Sequence, residues 1–90
     1  MDIKTPSGFS CKISEDVRDD MELLDDLTAV DRGDLSHMPD VIRRLLGDKG
    51  KAALYEFCRL KSGRVSSKKV MTEIKSIFDE IGKGKGAAKN

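Results

Sequence analysis

The sequence predicts a small α+β domain, mostly helical, with an N-terminal β-hairpin followed by about four short helices. Three observations predict it. Phe9, Cys11 and Ile13 alternate with polar residues at the two-residue period of a half-buried strand. Beyond Ser14 the apolar residues recur at three- and four-residue spacing, which is the period of an amphipathic helix. The chain has 90 residues, room for one core and no more.

The hairpin is expected over 2–13. Asp2-Ile3-Lys4-Thr5 forms its first arm, and Pro6-Ser7-Gly8 is the punctuation of a turn. A lone hairpin is marginal in water, so its Phe9/Cys11/Ile13 face must lie on helices. The first helix is expected over 15–30. Ser14 is placed to cap it, and Glu15 and Asp16 put negative charge at the positive end of the helix dipole. Val17, Met21, Leu24, Leu27 and Thr28 form its apolar stripe, and Gly33 ends the pattern. Its other side carries Glu15, Asp19, Glu22 and Asp26 at i, i+4, i+7 and i+11. Like charges at i, i+4 destabilise a helix by roughly 0.2–0.5 kcal/mol per pair. Such a row is either a solvated face or one that meets a basic surface.

A second helix is expected over 37–46, capped by Ser36 or His37, with Pro39 in its first turn and Val41, Ile42, Leu45 and Leu46 inward. Gly47 suits the position just past its end. Asp48 then opens a third helix over 49–61. Leu54, Phe57 and Cys58 stack on one side of it, Ala53 and Leu60 flank them, and Ser62-Gly63-Arg64 breaks it. Ser66 caps a fourth helix over 67–81, with Val65 and Val70 placed as a hydrophobic staple. Val70, Ile74, Ile77, Phe78 and Ile81 give the cleanest helical stripe in the chain. From Gly82 to Asn90 the composition buries nothing and reads as a disordered basic tail.

The net charge of +1 hides a division. Residues 1–40 hold 11 Asp/Glu and 4 Lys/Arg, giving −7, while residues 41–90 hold 5 and 13, giving +8. Segregation of that kind bears on partners. No apolar run approaches the roughly 18–20 residues of a membrane helix. The N-terminus lacks the basic and apolar regions of a signal peptide, so the protein is expected to stay inside the cell. Cys11 and Cys58 fit that compartment as free thiols.

Catalytic groups do not converge. His37 is the single histidine, and with two distant cysteines it makes no zinc set. Asp19-Asp20 and Asp25-Asp26 lack the loop pattern of a calcium site. Gly82, Gly84 and Gly86 neither follow a strand nor open a helix, as a phosphate cradle would require. No catalytic, cofactor or metal site is therefore expected. Nucleic-acid binding is the stronger alternative. Arg43, Arg44, Lys49, Lys51, Arg59, Lys61, Arg64, Lys68 and Lys69 populate the basic half, and a Gly-containing loop joins the last two helices as in a helix-turn-helix. Against it, Gln is missing and Asn occurs only at position 90, so the side chains suited to adenine edges are lacking. The would-be recognition helix also spends its best face on the core.

A family resemblance emerges from the order of the segments. Thr5-Pro6-Ser7-Gly8-Phe9 lies in the strand pair, followed by the acidic helix from Asp19 to Leu27. Met38-Pro39-Asp40-Val41-Ile42 runs into Leu45-Leu46-Gly47, and Leu54-Tyr55-Glu56 precedes Gly63-Arg64-Val65. Glu73-Ile74 and Ile77-Phe78 come before a Lys-rich end. This layout resembles the small tail assembly chaperones of long-tailed bacteriophages and prophages, especially those of Gram-positive hosts. The likeness covers most of residues 3–81 and rests on order, size and charge rather than on a signature motif.

The resemblance implies a non-catalytic protein of the bacterial host's cytoplasm. Such a protein binds the tape-measure protein and keeps it soluble while tail tube protein assembles around it. It also implies self-association, in some members into rings or helical assemblies, and a longer product made by ribosomal frameshifting. Ala88-Lys89-Asn90 can be encoded by a slippery codon run. Two expectations about partners follow. The Glu15/Asp19/Glu22/Asp26 face meets basic side chains around Arg43, Arg44 or Arg59, either within the chain or head-to-tail on a neighbour. An apolar groove between helices takes an amphipathic tape-measure helix.

Overall fold

Strands β1 (Asp2–Lys4) and β2 (Ser10–Lys12) pair antiparallel in a computed structural model of the chain, with Ile3 opposite Cys11. The backbone is described for residues 1–89 and side chains for residues 1–83; Asn90, and with it the end of the expected tail, lies outside the described residues. The turn closes through the Thr5 N–H donating to the Phe9 carbonyl at 2.8 Å and the Gly8 N–H donating to the Thr5 carbonyl at 2.9 Å. Gly8 sits at φ 100°, which a side chain would strain. Ile3, Phe9 and Ile13 are buried, so the hairpin lies on the helices through the face that its alternation marks.

The helix expected over 15–30 is two elements. A 3-10 turn, Glu15–Asp19, is followed by α1, Met21–Asp31. Asp20 divides them. Its backbone is extended, at φ −110° and ψ 103°, and its carboxylate accepts the Leu23 N–H at 3.0 Å. An aspartate in that role starts a helix rather than continuing one. The break shifts the buried face. Leu23 is buried, and Leu27 and Val30 pack beside it, while Met21 is 66% exposed and Leu24 54% exposed. Of the expected stripe, only Val17 and Leu27 face the core, and Thr28 is exposed.

The second and third expected helices are halves of one kinked element, α2, Met38–Phe57. The kink is at Gly47, with φ 75° and ψ 174°, conformations open to glycine and strained for other residues. Val41, Ile42, Leu45 and Leu46 are buried before it and Leu54 after it. The expected cap differs as well. His37 makes no capping bond; Asp34 instead accepts the Ser36 N–H at 3.2 Å and opens a 3-10 turn over Leu35–His37. The helix stops at Phe57 rather than Lys61, because the chain folds back on itself and pairs Arg59 with Val65. Leu60 donates its N–H to the Arg64 carbonyl at 2.8 Å inside that loop and is left 40% exposed. Phe57, expected inward, stays partly exposed but stacks obliquely on Phe9 with ring centroids 5.3 Å apart.

Helix α3, Ser67–Lys89, begins as its sequence signals. Ser66 accepts the Lys69 N–H at 3.1 Å, and Val70, Ile74, Ile77 and Ile81 are buried with Phe78 packed beside them. Its backbone is helical to Lys89, past Ile81, where the composition predicts that the helix ends and a disordered tail begins. The result is an α+β fold with three α-helices in place of four. The hairpin packs on α2 and α3, and α1 leans on α2. One contact joins the ends of the fold. The Thr5 hydroxyl donates to Glu73 Oε1 at 2.7 Å, and both residues are buried. Among the described residues no helix is long and apolar enough to cross a membrane.

Candidate docking surface

The four residues of the expected acidic row part company at Asp20. Glu22 and Asp26, one turn apart on α1, both face α2 and meet Arg44. Its Nη1 lies 3.3 Å from Glu22 Oε1 and its Nε 3.2 Å from Asp26 Oδ2. His37 joins them through Nδ1, 2.8 Å from Asp26 Oδ1, while its Nε2 stands 3.5 Å from Asp34 Oδ2. The hydrogen bond from His37, reinforced by Arg44, holds the Asp26 carboxyl below the usual carboxylate range. The same bond to Asp26, with the charges of Asp34, Asp26 and Asp40, holds the His37 imidazole above its ordinary value. Half of the row is thus paired within the chain.

The other expected members lie elsewhere. Glu15 and Asp19 belong to the 3-10 turn, are exposed, and have no salt-bridge partner among the described residues. Arg43 pairs with Asp40 on its own helix at 3.0 Å. Arg59 pairs with Glu56 at 2.8 Å and donates to the Gly63 carbonyl at 2.6 Å. Neither of these arginines reaches the acidic row. Exposed pairs of this kind are worth about 0–1 kcal/mol, so they leave both arginines free to exchange partners.

The same break at Asp20 that divides the row opens a groove. Met21 and Leu24, exposed on α1, line a hollow of about 460 Å³ together with Phe78 and Ile81 of α3 and the buried Val17 and Leu23. Arg18 crosses one end and donates from Nη2 to the Ile81 carbonyl at 3.2 Å. Asp19 and Asp20 form the rim beside it. A smaller hollow of about 300 Å³ lies between Leu35, Met38, Tyr55 and Met71. Met21 and Leu24 escape a periodicity reading because the three- and four-residue spacing runs unbroken through Asp20. The available signal is Asp20 itself, an acceptor three residues ahead of the buried Leu23.

Burial pushes both thiols up, Cys58 with help from the charge of Glu73, so little reactive thiolate forms at neutral pH. Among the described residues no three His, Cys, Asp or Glu side chains gather as metal ligands. No known protein family, curated protein or solved structure matches the chain.

Proposed function

We propose that the protein is a non-catalytic assembly chaperone of the phage-tail type, acting in the cytoplasm of the bacterial host. In this reading an amphipathic helix of the tape-measure protein docks between α1 and α3, and the complex holds that long partner soluble while tail tube protein assembles. The observation that carries it is the exposure of Met21 and Leu24 in a groove floored by core residues. A helix laid in such a groove presents apolar residues at i, i+3 and i+4 to those two side chains. Fully burying an apolar side chain of this size contributes about 1.5–3 kcal/mol, so covering what α1 leaves exposed contributes roughly half that per residue. Such a gain suits a reversible hold.

Self-association fits the same reading. Glu15 and Asp19 at one end, and Lys61, Arg64, Lys68 and Lys69 around the α2–α3 connection, are exposed charges of opposite sign. A contact between different faces closes into rings or grows into helices. Light scattering over a salt series tests it, since size must fall as salt rises.

The docking reading is tested by co-expressing the tagged chain with the tape-measure protein of the same phage. Wild type retains the partner; Leu24→Asp and Met21→Asp lose it while keeping the wild-type circular dichroism. Retention by both variants removes the groove from the mechanism. The alternative, a helix-turn-helix regulator, draws on that exposed basic loop. Its connection, Cys58 through Ser66, is far longer than the usual three to four residues. Steeply salt-dependent retention on DNA with no tape-measure binding would favour the regulator.

A further inference from the structure

We infer that the α1–α3 groove selects a cationic amphipathic helix, one whose apolar stripe is flanked by Lys or Arg, over an anionic helix with the same stripe. The inference rests on the reading of this groove as a docking site, and not on the partner's being a tape-measure protein. Three observations carry it. First, the apolar part is accessible, since Met21 and Leu24 are more than half exposed. Second, the surround is acidic. Asp19 lies on the rim. Asp25 follows Met21 by four residues on α1, and Asp31 follows Leu27 by four, which sets each on the same side of the helix as its apolar neighbour. Asp19, Asp25 and Asp31 are exposed, and none has a salt-bridge partner among the described residues.

Third, among the described residues the cations that border the groove are held by groups of their own, although Arg32 beside Asp31 has no salt bridge. Arg18 is held by the Ile81 carbonyl, Arg44 by Glu22 and Asp26, and Lys83 by Glu80 at 3.1 Å. A helix seated on Met21 and Leu24 would bring its flanking side chains to three carboxylates that form no salt bridge among the described residues, with Arg18, fixed on the Ile81 carbonyl, as the one cation lining the groove. Three contacts at the strength of exposed ion pairs add up to a preference of about tenfold. Complementarity of this kind sets partner choice more than raw affinity.

Two designed, fluorescently labelled peptides of about five helical turns test the inference. They share one Leu/Ala stripe and differ in Lys or Glu flanks. Anisotropy titrations with the full chain should show the Lys peptide binding about tenfold more tightly at low salt, with the gap closing as salt rises. The double charge reversal Asp19→Lys/Asp25→Lys should close it at low salt, and Leu24→Asp should abolish binding of both peptides. Met21→Asp is the second apolar variant, in case the first misfolds. Equal affinities, a preference for the Glu peptide, or no binding of either overturns the inference. So does concentration-dependent dimerisation that Leu24→Asp abolishes and neither peptide displaces, because a second copy then covers the groove. Binding of the Lys peptide by a chain that retains no tape-measure protein keeps the inference and removes the chaperone reading. Tape-measure binding without charge preference does the reverse.

Discussion

Truncating Leu23 and Leu24 to alanine, one at a time, separates two neighbours whose ranking depends on the break at Asp20. Leu23 is 4% exposed and Leu24 54% exposed. A buried Leu→Ala change removes transfer free energy and leaves a cavity, together about 2–5 kcal/mol. At Leu24 roughly half of the side chain is already in water and no cavity forms, so the loss is about 1 kcal/mol. Urea denaturation followed by circular dichroism reads the difference. With a slope of about 1–3 kcal/mol per molar for a small domain, Leu24→Ala lowers the midpoint by about 0.3–1 M, and Leu23→Ala, at the same slope, by about two to five times as much. Both slopes should match wild type. If Leu24→Ala costs as much as Leu23→Ala in a monomeric sample, the helix runs unbroken from Glu15, its inward stripe is Val17, Met21 and Leu24, and the groove does not exist.

The remaining predictions follow from single contacts. Asp26 is lowered by its bond to His37, so its contribution is full above about pH 4 and is lost as pH falls through its lowered value. His37 is raised by the same bond, so its contribution is full below about pH 6.5 and is lost as pH rises through its raised value. Wild type should therefore lose more midpoint than His37→Gln between about pH 6 and pH 8.5; equal losses would contradict the pairing. Thr5→Val removes the hydroxyl donor that Glu73 accepts from and should cost about 1–3 kcal/mol. In a Glu73→Met background the same change should cost much less, and additive costs in that double-mutant cycle would show the two residues uncoupled. Ser66→Ala should cost about 1 kcal/mol through the lost cap on Lys69, read as a lower thermal midpoint.

What the sequence made legible is what local chemistry decides. The alternation of Phe9, Cys11 and Ile13 and the turn at Pro6-Ser7-Gly8 predict the hairpin, and the β1–β2 pairing follows. The α3 stripe and its Ser66 cap were equally plain, because cap, staple and period agree there. In α1 two local signals disagree. The apolar and acidic periods both run through Asp20, whereas its carboxylate caps the backbone ahead of it, and the cap wins. The Gly47 kink shows a milder form of this. The end of one helix was readable, but not that the next would continue from it at an angle.

Long-range pairings leave no trace in spacing. Glu73 interrupts the α3 stripe as if it were solvent-facing, and its donor, Thr5, is 68 residues away in sequence. The acidic row was visible, but its division between Arg44 and the open rim depends on how α1 settles on α2.

The central claim is that α1 turns Met21 and Leu24 outward to receive a partner helix beside α3. Two-dimensional amide NMR of the labelled chain, titrated with a helical fragment of the tape-measure protein, tests it most directly. The account predicts shift changes confined to Met21, Leu24, Leu27 and Phe78 and the acidic residues beside them. Changes centred on Leu35, Met38 and Met71, or none at saturating fragment, would contradict it.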